Sequence, residues 1–158
     1  MARSEVVKIK RGGGAAQLVD EQSKGAGELR VAIHAPADIL EARKRGRELA
    51  ASLGFSSTDC TLVATAISEL ARNIVLYATE GEIRLAPTAN ANHVGVVITA
   101  SDCGPGISDL RNAMRDGFST SRGLGLGLPG VRRIMDDFDI ASSPKSGTTV
   151  TIKKWRLR

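Results

Sequence analysis

Apolar positions along the chain recur in two rhythms. In Leu29-Arg-Val-Ala-Ile-His34 they alternate with polar ones, the period of a half-buried strand. From Pro36 to about Leu53 the residues Ile39, Leu40, Ala42, Gly46, Leu49 and Leu53 return at helical spacing, and Gly54 marks the stop. A second helix opens at Ser56-Ser-Thr-Asp59, which offers N-caps and a first-turn acid. In it Cys60, Val63, Ile67, Leu70 and Ile74 mark one buried stripe, and it ends near Tyr77-Ala78. Glu82–Ala86 and Val94–Ala100 read as neighbouring strands joined by a turn at Asn90–His93. A short helix from Ile107 to about Met114 and another over Leu128–Asp136 follow. Strands Phe138–Ser142 and Thr148–Lys153 close the chain around the turn Pro144–Gly147. The pattern predicts a two-layer α/β sandwich, with helices on one face of a mixed, mostly antiparallel sheet.

Residues 1–27 break this pattern. Glycine clusters at 12–14 and 25–27 and scattered polar residues leave little to bury, so this stretch reads as a flexible leader and 28–158 as the folded domain. The net charge of +5 raises the question of nucleic acid, but its distribution argues against that. Residues 28–152 carry 13 basic and 14 acidic side chains, so the basicity belongs to the two ends. Aromatics at 3% provide little for base stacking, and no nucleic-acid partner is expected. Two cysteines, Cys60 and Cys103, are too few for a disulfide framework or a zinc site. No stretch reads as a signal peptide or approaches the ~20 apolar residues of a membrane span, so the expected setting is cytoplasmic, with no membrane.

Three stretches carry candidate chemistry. Glu69-Leu-Ala-Arg-Asn73 sets a carboxylate and an amide one helical turn apart, on a face off the Cys60–Ile74 stripe. An amide oxygen suits Mg²⁺, and a carboxylate can orient or deprotonate a hydroxyl; alone, the pair reads rather as a solvated polar face. Ser101-Asp-Cys-Gly-Pro-Gly-Ile107 puts the Asp102 carboxylate just after a strand, ahead of Gly104 and Gly106. Such an acceptor selects the amino group of adenine over the carbonyl of guanine, although an ordinary turn has the same residues. Finally, Ser119-Thr-Ser-Arg-Gly-Leu-Gly-Leu-Gly-Leu-Pro-Gly130 places Gly123, Gly125 and Gly127 at alternate positions before Pro129 and a helix. With Arg122 nearby, this suits a lid over phosphates at a helix N-terminus. A glycine-rich loop without a ligand would read similarly.

Taken in order, Glu-x-x-x-Asn on a helix, Asp-x-Gly-x-Gly after a strand, Gly-x-Gly-x-Gly before a helix and Gly147-Thr148 ahead of a strand resemble the GHKL (Bergerat-fold) ATP-binding superfamily. The resemblance implies a Bergerat-type fold that binds ATP with Mg²⁺. Asn73 would coordinate the metal and Asp102 would hold the adenine amine. Gly104, Gly106, Gly123, Gly125, Gly127 and Thr148 would complete the nucleotide site, and Arg122 joins them by its charge beside the glycines, not by the resemblance. His34 and His93 fall on a strand and a turn, which counts against a histidine kinase, and no transducer domain follows.

Ala66–Asn73, Asp102–Ile107, Asp116-Gly-Phe-Ser-Thr-Ser121, Gly127-Leu-Pro-Gly-Val131 and Lys153-Lys-Trp155 further resemble the RsbT-type switch kinases of the stressosome. That likeness implies a serine/threonine kinase with Glu69 as catalytic base, acting on STAS-domain scaffold or antagonist proteins of RsbS and RsbR type. Once released, it would activate a downstream effector protein. An anti-sigma kinase that binds a sigma factor directly, or a nucleotide-gated binding module without phosphotransfer, are the alternatives.

Overall fold

The structure, a computed structural model, describes residues 6–11, 27–115 and 126–158. Six strands form one sheet: β1 (Val7–Arg11), β2 (Leu29–Ile33), β3 (Gly81–Ala89), β4 (His93–Asp102), β5 (Asp137–Ser143) and β6 (Gly147–Leu157). Their spatial order is β1-β5-β6-β4-β3-β2. Every neighbouring pair is antiparallel, so the mixed character expected of the sheet is absent among the described residues. The links β3–β4 and β5–β6 are short turns, which only antiparallel pairing permits.

The register explains where the core lies. One row of side chains crosses the whole sheet as Val31, Ile83, Ala100, Val150, Ile140 and Ile9. The next row on that face runs Leu29, Leu85, Ile98, Ile152 and Phe138. Between them, on the opposite face, come Arg30, Arg84, Thr99, Thr151, Asp139 and Lys10. Strand side chains alternate between faces, so the apolar rows face the helices and the polar row does not.

The helices are α1 (Pro36–Ser52), α2 (Ser57–Asn73), a short α3 (Leu110–Ala113) and α4 (Gly127–Ile134). In α1 the buried positions are Ala42, Gly46 and Ala50, small residues that let α2 approach closely, while Leu40 lies outside that stripe and is exposed. The α2 helix lies between α1, α4 and strands β3, β4 and β6, and is buried well beyond one stripe. Ala64, Ala66, Ser68, Glu69 and Ala71 join Cys60, Val63, Ile67 and Leu70 inside. With its continuation to Ala78 it forms the one helix among the described residues long and apolar enough to cross a membrane by length and composition alone. The expectation that no stretch would reach this length is therefore corrected. Its apolar character is accounted for by the core that it occupies.

Two further expectations change. Part of the leader is structured: Val7–Arg11 pairs with β5, with Ile9 half-buried opposite Ile140. Five residues carry too little periodicity to announce a strand, and the long-range pairing supplies the reason for it. The basic ends also have structural work. Lys154 donates to the Ile134 carbonyl (3.2 Å), Arg156 to that of Leu53 (2.6 Å) and Arg11 to that of Arg132 (2.9 Å). These carbonyls lie at the C-terminal ends of α4 and α1, where acceptors have no partner within the helix and the dipole favours cations.

Candidate functional site

A cavity of about 360 Å³ opens where the C-terminal end of α2, the end of β4 and the start of α4 meet. Leu70, Ile74, Ala100, Ile107, Leu128 and Val150 make its walls apolar, and Asn73, Asp102 and Thr148 bring polar groups to it. Apolar walls with a few convergent polar groups are the usual makeup of a small-molecule site.

Asp102 is the last residue of β4, which runs two residues beyond the end at Ala100 that its pattern indicates. Its Oδ1 accepts the N–H of Gly104 at 2.9 Å and that of Thr148 at 3.3 Å. No donor is bonded to Oδ2 among the described residues, which leaves an acceptor at the cavity. Thr148 is held in turn: its Oγ1 lies 2.9 Å from Ser142 Oγ, which accepts the N–H of Ile107 at 2.8 Å. Ser142, buried in β5, thus ties the loop after β4 to the start of β6. No motif in the sequence singles it out.

The glycines here serve the backbone. Gly147 has φ +76°, and a Cβ there would lie 2.1 Å from the Asp102 carbonyl oxygen. Gly106 has φ +73°, with the Ser143 carbonyl oxygen 2.4 Å from where its Cβ would be. Both positions demand glycine twice, through conformation and through space. At Gly104 a Cβ would meet the Cβ of Ala78 at 2.7 Å, so this glycine lets the loop pack against the end of the α2 run.

That end departs from an α-helix. Ile74–Ala78 is a π-helical turn, followed by Thr79 at φ 66°. The wider turn puts Ile74, Tyr77 and Ala78 on the cavity beside Asn73. Single π turns inside helices commonly occur at functional sites, and hydrophobic spacing carries no sign of them. Asn73 is half-buried, with no hydrogen bond to its amide among the described residues, so its oxygen is available to a ligand.

Glu69 is one turn earlier, and its environment differs from a solvated helix face. It is 8% exposed, and its Oε1 accepts from Arg72 Nη1 at 2.6 Å. A buried carboxylate without a partner is costly, and the guanidinium supplies the compensation. Glu69 borders the cavity region without lining it. Gly127 lines the cavity as the first residue of α4, at φ 63°. Arg122, Gly123 and Gly125 lie outside the described residues. Among the described residues no group of three His, Cys, Asp or Glu side chains converges to hold a metal unaided.

Residues 58–158 match the family described as Histidine kinase-, DNA gyrase B-, and HSP90-like ATPase. The serine/threonine-protein kinase RsbT of Bacillus subtilis (strain 168) is 52% identical over 118 residues, covering 75% of this chain and 89% of that protein. The anti-sigma F factor of the same organism is 33% identical over 111 residues, 66% of this chain and 75% of that protein. The anti-sigma F factor of Heyndrickxia coagulans is 31% identical over 120 residues, covering 72% and 81%. By this family match over residues 58–158 and by the 52% identity to RsbT, the chain belongs to the histidine kinase-, DNA gyrase B- and HSP90-like (GHKL) ATPase family.

Proposed function

We propose that the chain is an ATP-dependent serine/threonine protein kinase of a bacterial partner-switching pathway. It transfers the γ-phosphoryl group of ATP to Ser or Thr of STAS-domain scaffold or antagonist proteins, and on release it activates a downstream effector. The observation that carries this reading is the convergence of Asp102 and Asn73 on one apolar cavity, with the Glu69 carboxylate buried a turn away. The identity to RsbT supports the class of acceptor, and the anti-sigma F factors stand further off.

In this reading the adenine ring lies between Ile74, Ala100, Ile107 and Val150, and Asp102 Oδ2 accepts its amino N–H. The Asp102 plane is set by the N–H groups of Gly104 and Thr148, so the acceptor needs no reordering when the base arrives. Asn73 offers an amide oxygen to Mg²⁺, which would also be held by the nucleotide phosphates. When bound, the ion neutralises charge on the β- and γ-phosphoryl oxygens. The N-terminus of α4 at Gly127 faces the same cavity and favours an anion. Arg122, Gly123 and Gly125 would complete the phosphate lid.

Transfer forms a bond from phosphorus to the partner's hydroxyl oxygen and breaks the bond to the β–γ bridging oxygen, leaving ADP. Glu69 takes the hydroxyl proton, and Arg72 holds its carboxylate in one orientation. Residues 28–158, with β1 (Val7–Arg11) added at the edge of their sheet, form the kinase domain, which acts in the cytoplasm. Incubation with γ-labelled ATP and a STAS-domain protein tests the proposal. Label on Ser or Thr of the partner is the expected result. ATP binding without transfer would reduce the chain to a nucleotide-gated module, and tight binding of a sigma factor would favour the anti-sigma reading.

A further inference from the structure

Ser142 is 2% exposed in β5 and does not line the cavity, yet its hydroxyl stands between two residues that do. Its Oγ accepts the Ile107 N–H at 2.8 Å and lies 2.9 Å from the Oγ1 of Thr148, its cross-strand partner on β6. Either hydroxyl could donate in the second contact, and the bonding around Ser142 decides which one does. A serine hydroxyl has one hydrogen to give and two lone pairs. If Thr148 donated, Ser142 would accept twice, and its own hydrogen would be buried with no acceptor among the described residues. Buried donors rarely go unpaired, because the lost solvation is not recovered. If Ser142 donates, both of its roles are filled: Ile107 N–H to Ser142 Oγ, then Ser142 O–H to Thr148 Oγ1. The Thr148 hydrogen is then the one left over. Thr148 is half-buried on the cavity wall, where a ligand can accept it.

We propose that Ser142 is a positioning residue for base recognition, which holds the Thr148 hydroxyl as a hydrogen-bond donor toward the nucleobase. The Thr148 N–H binds Asp102 Oδ1 at 3.3 Å, so this donor stands beside the Asp102 carboxylate, whose Oδ2 is the acceptor at the cavity. Acceptor and donor together match the Watson–Crick edge of adenine, which presents an amino N–H and, next to it, the N1 lone pair. Guanine presents a carbonyl and an N1–H in those places and is mismatched twice, where Asp102 alone would reject it once. A site whose polar groups are left unpaired by the wrong ligand discriminates more strongly than one that relies on shape. The bond from Ile107 through Ser142 also polarises the last hydroxyl of the chain and strengthens it as a donor. The choice of adenine as ligand rests on the nucleotide reading above; the direction of the hydroxyl chain does not.

The test compares, by calorimetry on the full chain with Mg²⁺, the affinities for ATP and for 1-deaza-ATP, in which C–H replaces N1. Wild type is expected to bind ATP about tenfold more tightly, since the analogue leaves the Thr148 donor unmatched. Ser142→Ala lowers that ratio by about threefold or more, because the Thr148 hydrogen is no longer held toward the base. Ser142→Thr keeps a hydroxyl and restores the ratio. Loss of the tie between Ile107 and β5 would weaken both nucleotides alike, so the ratio reports the hydroxyl and not the frame. Thr148→Val removes the donor, and adding Ser142→Ala to it leaves the ratio where Thr148→Val put it. If Ser142→Ala does not fold, Ser142→Cys carries the test, since its thiol fills the space with a weak donor and lowers the ratio in the same direction. Equal wild-type affinity for the two nucleotides, or a ratio that the Ala and Cys variants leave at the wild-type value, overturns the positioning role and leaves the nucleotide reading standing. Failure of the wild type to bind either nucleotide overturns that reading and this proposal with it.

Discussion

The Thr148 N–H donates to Asp102 Oδ1 at 3.3 Å across 46 residues of chain, joining the start of β6 to the end of β4. The same oxygen accepts from Gly104, so two backbone donors fix one side of the carboxylate and leave the other for a ligand. An amide in place of this carboxylate can keep both backbone bonds through its carbonyl oxygen while presenting its NH₂ donor to adenine. Asp102→Asn is therefore expected to preserve the fold and weaken ATP binding by about ten- to a hundredfold, the cost of an unmatched polar group. Calorimetry with an ATP analogue, and GTP as control, measures it. Unchanged ATP affinity would remove Asp102 from the site.

Glu69 and Asn73 should fail differently despite lying one turn apart. Asn73→Ala weakens Mg²⁺-dependent nucleotide binding and phosphotransfer together. Glu69→Gln keeps the shape of the buried pair with Arg72, so nucleotide affinity stays close to wild type. The rate of transfer to a STAS-domain protein falls by about 10²–10⁴-fold, the usual range for a positioned base. Wild-type transfer by Glu69→Gln contradicts the base assignment. Equal loss of nucleotide binding in both variants would make the pair one metal site.

Gly147→Ala tests the frame of the site separately from its chemistry. The position combines φ +76° with a carbonyl oxygen 2.1 Å from the new Cβ. A destabilisation of at least about 1–3 kcal/mol is expected from the backbone conformation alone. Chemical unfolding gives that value, and ATP affinity should drop with it because Asp102 and Cys103 must shift. A variant as stable as wild type would show that the turn relaxes freely.

Deleting the first 27 residues removes β1 from the edge of the sheet. Nucleotide binding is expected to survive, since no residue of β1 lines the nucleotide cavity. Stability should fall. The half-burial of Ile9 against Ile140 is worth about 1 kcal/mol, and a loss of that size lowers Tm by about 2–4 °C in a domain this large. A thermal melt of the chain beginning at Glu28, beside the full chain, checks the loss of stability, and ATP titration of the same two proteins checks binding. An unchanged Tm would mean that β1 contributes no net stability.

Acid should unmask the cap of α1. Asp38 Oδ2 accepts the N–H groups of His34 at 2.8 Å and Ala35 at 2.9 Å, and the His34 bond leads in holding its carboxyl below the ordinary carboxylate value. A depressed pKa means that the contribution is present above the unfolded-state value and is lost as pH falls through the folded one. Asp38→Asn should therefore lower Tm at neutral pH, with the difference from wild type shrinking as the pH drops below about 4. A constant difference across that range would show that charge plays no part in the cap.

Local patterning determined most of the architecture. Alternation marked β2, β3, β4, β5 and most of β6, and helical spacing marked α1, α2 and α4, because one buried face imposes its period on each element. Asn73, Asp102, Gly106, Gly127 and Thr148 stood out as candidates because their chemistry sits in short motifs, and the structure brings these five to one cavity. What pattern could not convey depended on contacts far apart in sequence. The burial of Glu69 arises because α2 is covered by α1, α4 and the sheet together, which no single helical wheel contains. The π turn at Ile74–Ala78 has no periodic signature, and the strand at Val7–Arg11 exists through its pairing with β5. Ser142 joins Ile107 and Thr148 only after β5 and β6 have paired.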